Sequence, residues 1–386
     1  MSPHPRPFPI LHLVPILGLL PGAHLLSQEA ADPWTAVTSG KPELEARVRY
    51  EQVEAGGSGN AVGTLRLLAG WQTVPWKGFS ALATVRAVGF VQGPASADDP
   101  GRPAIDDPRG YALEEARVSW RGQGVGLVIG RQAVAFDDHR FVSDQPWRQH
   151  HSTLDAIRLD LGPWHGLDGS LLGVVNQRDT SNNDRAQRSL IGRVAQDLPG
   201  VGLRLIGEVL SLDAERSDGD ESLTMLLRTE YRQRLGGTGW EARAVASGGA
   251  QGKDSTLAGG LQRPFAHLAL GAGSGDTDVR LQFTRLGQHD GIGVVTPLSY
   301  GALVGGGVRE YTLKAWIPTP WGLAFSPLLQ RVDADTGGEL AREAKLETYF
   351  WPGHGIELGA SIYVRDSQDP SIADEIRGQL WSAWRW

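Results

Sequence analysis

The chain has 386 residues, a formal net charge of −7 and no cysteine. The acidic balance argues against a nucleic-acid partner, and the lack of cysteine removes disulfides, thiolate nucleophiles and lipid attachment through a thiol. Beyond the N-terminus no apolar run reaches the ~18 residues that a membrane helix needs, but a membrane β-barrel, whose strands alternate, keeps an ordinary mean hydropathy.

Residues 1–27 read as a secretory leader: His4 and Arg6 begin it, Ile10 to Leu20 is apolar, and the small residues Gly22, Ala23 and Ser27 offer cleavage sites. Residues 28–386 then form one unit. Leu44 to Glu51 alternates strictly, with Leu44, Ala46, Val48 and Tyr50 opposed to Glu45, Arg47, Arg49 and Glu51. A period of two predicts a strand. The pattern returns at Ile157–Leu161, Leu203–Val209, Leu227–Arg232 and Trp240–Ala244, and each time the polar face carries charge. In a membrane barrel that face meets a wet lumen and the apolar face meets lipid.

Gly130 to Leu159 stands apart. Between two strands lies a loop dense in charge (Asp137, Asp138, Arg140, Asp144, Arg148, with His139, His150 and His151) and anchored by Phe136, Phe141 and Trp147. Aromatic anchors hold a long loop folded, so this one is expected to constrict the barrel.

Connections alternate short and long. The short ones lie near residues 74–77, 122–123, 163–165, 198–200, 235–238, 318–319 and 352–353, and long polar stretches separate them. Outer-membrane barrels sort loops in this way, with short turns on the periplasmic side. Pro75-Trp76-Lys77-Gly78, Pro163-Trp164-His165-Gly166 and Pro320-Trp321-Gly322 repeat at the turns, and Trp240, Trp316 and Trp351 fall near the same end. Tryptophan at one level predicts an interfacial girdle. The count is about eighteen strands, the size that leaves an aqueous channel; residues 251–276, with Gly, Ser and Pro264, blur the pattern. The chain ends in an alternating strand closed by Trp386, which resembles the terminal signal of outer-membrane barrels.

The motif Gly130-Arg131-Gln132, Phe136 to Val142, Trp147-Arg148-Gln149 and Leu154 to Leu159 resembles the signature of the alginate-export family of outer-membrane proteins. Arg47 to Glu51, Trp76 to Ala81 and Thr296-Pro297-Leu298 are similar to further pieces of it. The resemblance implies an eighteen-stranded monomeric barrel, a lumen lined with arginine and lysine, and secretion of an anionic polysaccharide, with periplasmic secretion partners. Here Glu45, Glu51, Glu115, Glu208, Glu230 and Glu241 share the lumen face, so the pore is not purely cationic.

The expectation is therefore an all-β, transmembrane antiparallel barrel in the bacterial outer membrane. It contacts lipid and passes an anionic oligo- or polysaccharide or another small polar solute. Arginine binds carboxylate with two parallel hydrogen bonds and stays charged, and rings of it select anions. Strand parity assigns Arg47, Arg49, Arg66, Arg86, Arg117, Arg158, Arg193 and Arg204 to the lumen. The motif adds Arg131, Arg140 and Arg148, and Asp137, Asp138, Asp155 and Asp160 are placed to hold these arginines. Alternatives are a general diffusion porin without polysaccharide specificity and a barrel enzyme. For the enzyme, Ser143 or Ser152 beside His150 and His151 would serve, but no GxSxG is present. The spacing of Asp137, Asp138, His139, His150 and His151 fits no tight metal-ligand pattern, and no phosphate-binding glycine loop occurs. No cofactor or metal is expected.

Overall fold

The computed structural model describes residues 29–93, 103, 105, 107–136, 141–213, 221–252, 263–286 and 307–386. The expected leader, the motif residues Asp137, Asp138, His139 and Arg140, and Thr296-Pro297-Leu298 lie outside them.

Eighteen antiparallel strands pair in sequence order, and the first pairs with the last. They are β1 (Lys41–Ala55), β2 (Ser58–Gln72), β3 (Phe79–Gln92), β4 (Gly110–Gly122), β5 (Val125–Gln132), β6 (Thr153–Trp164), β7 (Leu167–Arg178), β8 (Asp184–Leu198) and β9 (Leu203–Asp213). The second half comprises β10 (Glu221–Leu235), β11 (Trp240–Gly252), β12 (Arg263–Ser274), β13 (Thr277–Leu286), β14 (Val308–Pro318), β15 (Leu323–Ala334), β16 (Glu339–Gly353), β17 (Ile356–Ser367) and β18 (Glu375–Arg385). Closure leaves no strand edge unpaired, the condition for sheet in a bilayer. A helix, α1 (Pro33–Thr38), capped by Asp32, precedes the barrel and sits by the β2–β3 turn, where Trp71 Nε1 donates to Val37 O at 2.8 Å.

The alternation sorts residues as the sequence predicts. Val48, Leu67, Ile157, Leu227, Leu281 and Leu329 are exposed on the outer face, while Arg47, Arg49, Glu51, Arg66 and Glu208 are buried within the bore. An even-numbered barrel with an apolar outer belt is a bacterial outer-membrane structure. A charge on that belt is costly at the bilayer midplane. Val48→Arg is expected to lose about 2–4 kcal/mol, read as a lower urea midpoint in lipid, and an unchanged midpoint would overturn the outward assignment of β1.

Two connections escaped the sequence. Gly56 and Gly57 join β1 to β2 with φ of 56° and 78°, the paired positive φ of a type I′ hairpin. It is a tight turn on the end where long loops are expected, as is the four-residue turn between β15 and β16. Gly275-Asp276 joins β12 to β13 equally tightly. Pro264 is the second residue of β12, where the missing N–H costs little; it blurred the pattern without breaking the strand.

The tryptophan girdle is partly as expected. Trp71, Phe79, Trp164, Trp240 and Trp386 are exposed outside near the turns, and Phe79 contacts Trp76 and Trp120. Trp316 and Trp351, expected in the girdle, instead point into the bore. Each shares the parity of luminal ionic residues, Lys314 on β14 and Glu347 on β16.

Candidate constriction site

The described parts of the connection from β5 to β6, residues 133–136 and 141–152, fold into the barrel. Two backbone hydrogen bonds pinch it: Phe136 N donates to Val142 O at 3.1 Å, and Ser152 N to Asp144 O at 2.8 Å. Val134, Phe136, Phe141 and Val142 are buried against inward residues of the wall, among them Leu154, Leu172, Ile191 and Leu210. Phe141 reaches β12, where it meets Phe265 edge to face at 5.0 Å. The inner wall of β6–β9 against these residues is thus apolar, with the uncharged Gln177, Gln187 and Ser189 buried nearer the loop end, against the expectation of charge on strand after strand, because the folded loop replaces water there.

The other flank of the loop is polar and is gripped by arginines of the wall. Arg47 Nη1 and Nη2 donate to Pro146 O and Trp147 O at 3.3 and 3.2 Å, and Arg49 Nη1 donates to Trp147 O at 3.1 Å. Arg66 Nη1 donates to Arg148 O at 3.2 Å. Each arginine also has a carboxylate or lies beside one: Arg66 pairs with Glu45, Arg49 with Glu51 and Arg86 with Glu114. A second inward segment, from the β3–β4 connection, joins them. Asp107 lies 2.5 Å from Arg49 and accepts from Gln149 N at 3.2 Å, and Ile105 packs with Val53 and Val62. Burial raises the Asp107 carboxyl, against the pull of Arg49.

Both described histidines of the loop, His150 and His151, are held. His151 Nε2 lies 2.8 Å from Arg66 Nη1, and its Nδ1 lies 3.1 Å from Glu114. Arginine only donates, so in this arrangement Nε2 accepts and Nδ1 faces the Glu114 carboxylate. His150 Nε2 donates to Pro108 O at 2.6 Å, while the buried Nδ1 has no hydrogen-bond partner among the described residues. Burial, aided by nearby Arg86, pulls His150 down to about 4.

Of the residues expected in the bore, Arg47, Arg49, Arg66, Arg86 and Arg148 come together at this site. Arg158 pairs with Asp160, and Arg117 with Glu115, lower on the inner wall. Arg193 pairs with Asp168 and Glu208 and lies over the Phe136 ring at 6.0 Å; Arg204 joins the same Asp168. Arg131 and Asp155 are not pore residues. They form a two-pronged pair at 2.7 and 2.6 Å, in register with each other and two residues from exposed Ile129 and Ile157 respectively, so they face outward. Their neighbours Asn176 and Asp184 continue an external polar ladder at the loop end. Parity read along β5 places Arg131 with Ile129; the motif had overridden it.

Sequence reasoning missed Asp107, Glu114 and Arg377, which bridges to Glu51 at 2.8 Å across the β1–β18 seam. For Glu114 the reason is a β-bulge: Thr84 pairs with Glu115 and Val85 with Leu113, so Glu114 is extra and strict alternation hides it. Among the described residues no group of three or more His, Asp or Glu is arranged to hold a metal.

No protein-family model and no curated protein matches the chain, so the alginate-export resemblance finds no support there. Solved structures do match. Pseudomonas aeruginosa OccK9 (OpdG) superposes with a TM-score of 0.73 at 14% identity, covering 91% of this chain and 100% of that one. Acinetobacter baumannii OccAB3 gives 0.72 at 14% identity with the same coverage. The outer membrane protein opdK from Pseudomonas aeruginosa gives 0.70 at 11%, covering 90% and 99%. At these identities the likeness establishes the fold, which is that of these outer-membrane barrels.

Proposed function

We propose that this chain is a channel of the bacterial outer membrane through which small polar solutes diffuse past the constriction built by residues 133–136 and 141–152. The observation that carries this reading is the grip of Arg47, Arg49 and Arg66 on the loop carbonyls, which holds a folded segment inside a wide barrel. Polysaccharide export, the expectation drawn from the motif, fits less well. A chain in transit needs one continuous bore, and here a loop reaches from β1–β2 on one side to Phe265 of β12 on another. The reading is of a diffusion channel and not of an enzyme.

Selectivity follows from the local charge. Arg47, Arg49, Arg66, Arg86, Arg148 and Arg377 meet the carboxylates Glu45, Glu51, Asp107 and Glu114. The cationic excess supports a modest anion preference, and the carboxylates keep anions from sticking. In planar bilayers under a salt gradient, the reversal potential is expected to show anion preference and to fall toward zero in Arg148→Gln. A reversal potential unmoved by that substitution would remove Arg148 from the filter, and cation preference in the unaltered channel would overturn the selectivity.

A further inference from the structure

The inner wall near the turn end carries a cluster that a purely ionic filter does not use. Trp316, Tyr349 and Trp351, from β14 and β16, gather with Trp381 of β18. Tyr349 and Trp351 lie parallel, 4° apart with centroids at 5.7 Å, and Trp316 stands 5.5 and 6.1 Å from them. Trp381 closes edge-on to Tyr349 at 5.3 Å. Its ring lies against Gly359 of β17, where a Cβ would meet ring atoms at 2.0 Å. Its Nε1 donates to Glu357 at 3.0 Å. Tyr349 and Trp381 are buried and fix the positions of Trp316 and Trp351, which keep partial exposure.

An apolar patch on the inside of a membrane barrel meets neither lipid nor, among the described residues, a covering loop, and so faces the bore. Two carboxylates flank it: Glu357, bound to Trp381 and to Arg385 at 3.3 Å, and Glu347, paired with Lys345 at 2.7 Å. Each carboxylate has about four acceptor sites, so both retain acceptors. Both charges are already matched, so an organic cation gains little here. A neutral pyranose uses both features at once: its C–H face rests on electron-rich indole faces and its hydroxyl edge donates to carboxylates.

We propose that Trp316 and Trp351, braced by Tyr349 and Trp381, form a stacking subsite for a saccharide ring in transit. This rests on the channel reading and names a solute class for it. A weak subsite of this kind suits transport, which needs binding that also releases.

The test is single-channel recording with maltotriose added on the turn side. The unaltered channel is expected to show brief interruptions, and Trp316→Ala with Trp351→Ala to shorten them at least fivefold with open conductance unchanged. Trp351→Tyr is expected to retain most of the effect. Interruptions equally long in the double variant would overturn the subsite. So would an open channel that ignores maltotriose, or one interrupted by benzoate and not by the sugar. If the protein does not conduct at all, the channel reading fails separately, and equilibrium dialysis of labelled maltotriose against detergent-solubilised protein and double variant decides the subsite: loss of binding in the variant supports it, and no binding to either overturns it.

Discussion

Arg66→Ala is expected to free the constriction loop and raise single-channel conductance. The guanidinium is buried and holds Arg148 O, His151 Nε2 and Glu45 together. Removing it leaves Glu45 with Arg385 alone, at 3.0 Å, and takes this donor from the Arg148 and Gln149 carbonyls. Losing one partner from a buried ionic cluster costs about 3–5 kcal/mol, several times a surface ion pair. The barrel has eighteen strand pairs to keep it closed, so the loss falls mainly on the loop. Conductance is expected to rise and become noisier while the protein still migrates as a folded barrel before heating. Arg66→Lys keeps the charge but not the planar fork, and is expected to fall between the two. Conductance unchanged in Arg66→Ala would show that the loop is held without this grip.

Acid is expected to loosen the same loop through His150. Its buried Nδ1 has no hydrogen-bond partner among the described residues, and burial lowers the group from 6.5 to about 4. The packed loop therefore binds the proton less readily than a released loop does. The stability it gains is full above about 6.5, declines as pH falls from there, and is lost at and below about 4. The whole shift corresponds to roughly 3 kcal/mol. Protease cleavage within residues 141–152, slow at neutral pH, is expected to accelerate as pH falls from about 6.5 toward 4, and His150→Gln to abolish that dependence. Cleavage independent of pH between 7 and 4 in the unaltered protein would contradict it.

The barrel was legible because parity is a local property. Leu44 to Glu51 alone separates lipid from lumen, and Ile376 to Trp386 repeats the separation at the other end of the chain. What parity could not supply is whatever breaks it or lies beyond one strand. The bulge at Glu114 adds a residue, and the Gly56-Gly57 hairpin falls at the end where long polar stretches are expected. Trp316 and Trp351 matched the girdle in composition, but their alternation with Lys314 and Glu347 turns them inward. The constriction was legible as a loop with aromatic anchors. Its partners were not, since Phe265 and Asp107 reach it only through the closed barrel. The motif that suggested alginate export carried the loop correctly and misled on Arg131 and Asp155, which parity alone assigns to the outer face.

The central claim, that residues 133–152 lie in the path of ions, has a direct test because the chain contains no cysteine. Trp147 is exposed in the loop, and its backbone carbonyl, which Trp147→Cys leaves in place, accepts from Arg47 and Arg49. In Trp147→Cys, a charged methanethiosulfonate reagent added during single-channel recording is expected to lower the open current in one irreversible step, and to leave the unaltered channel unaffected. Complete modification of the cysteine, verified by mass, with no change in current would place the loop outside the conduction path and contradict the account.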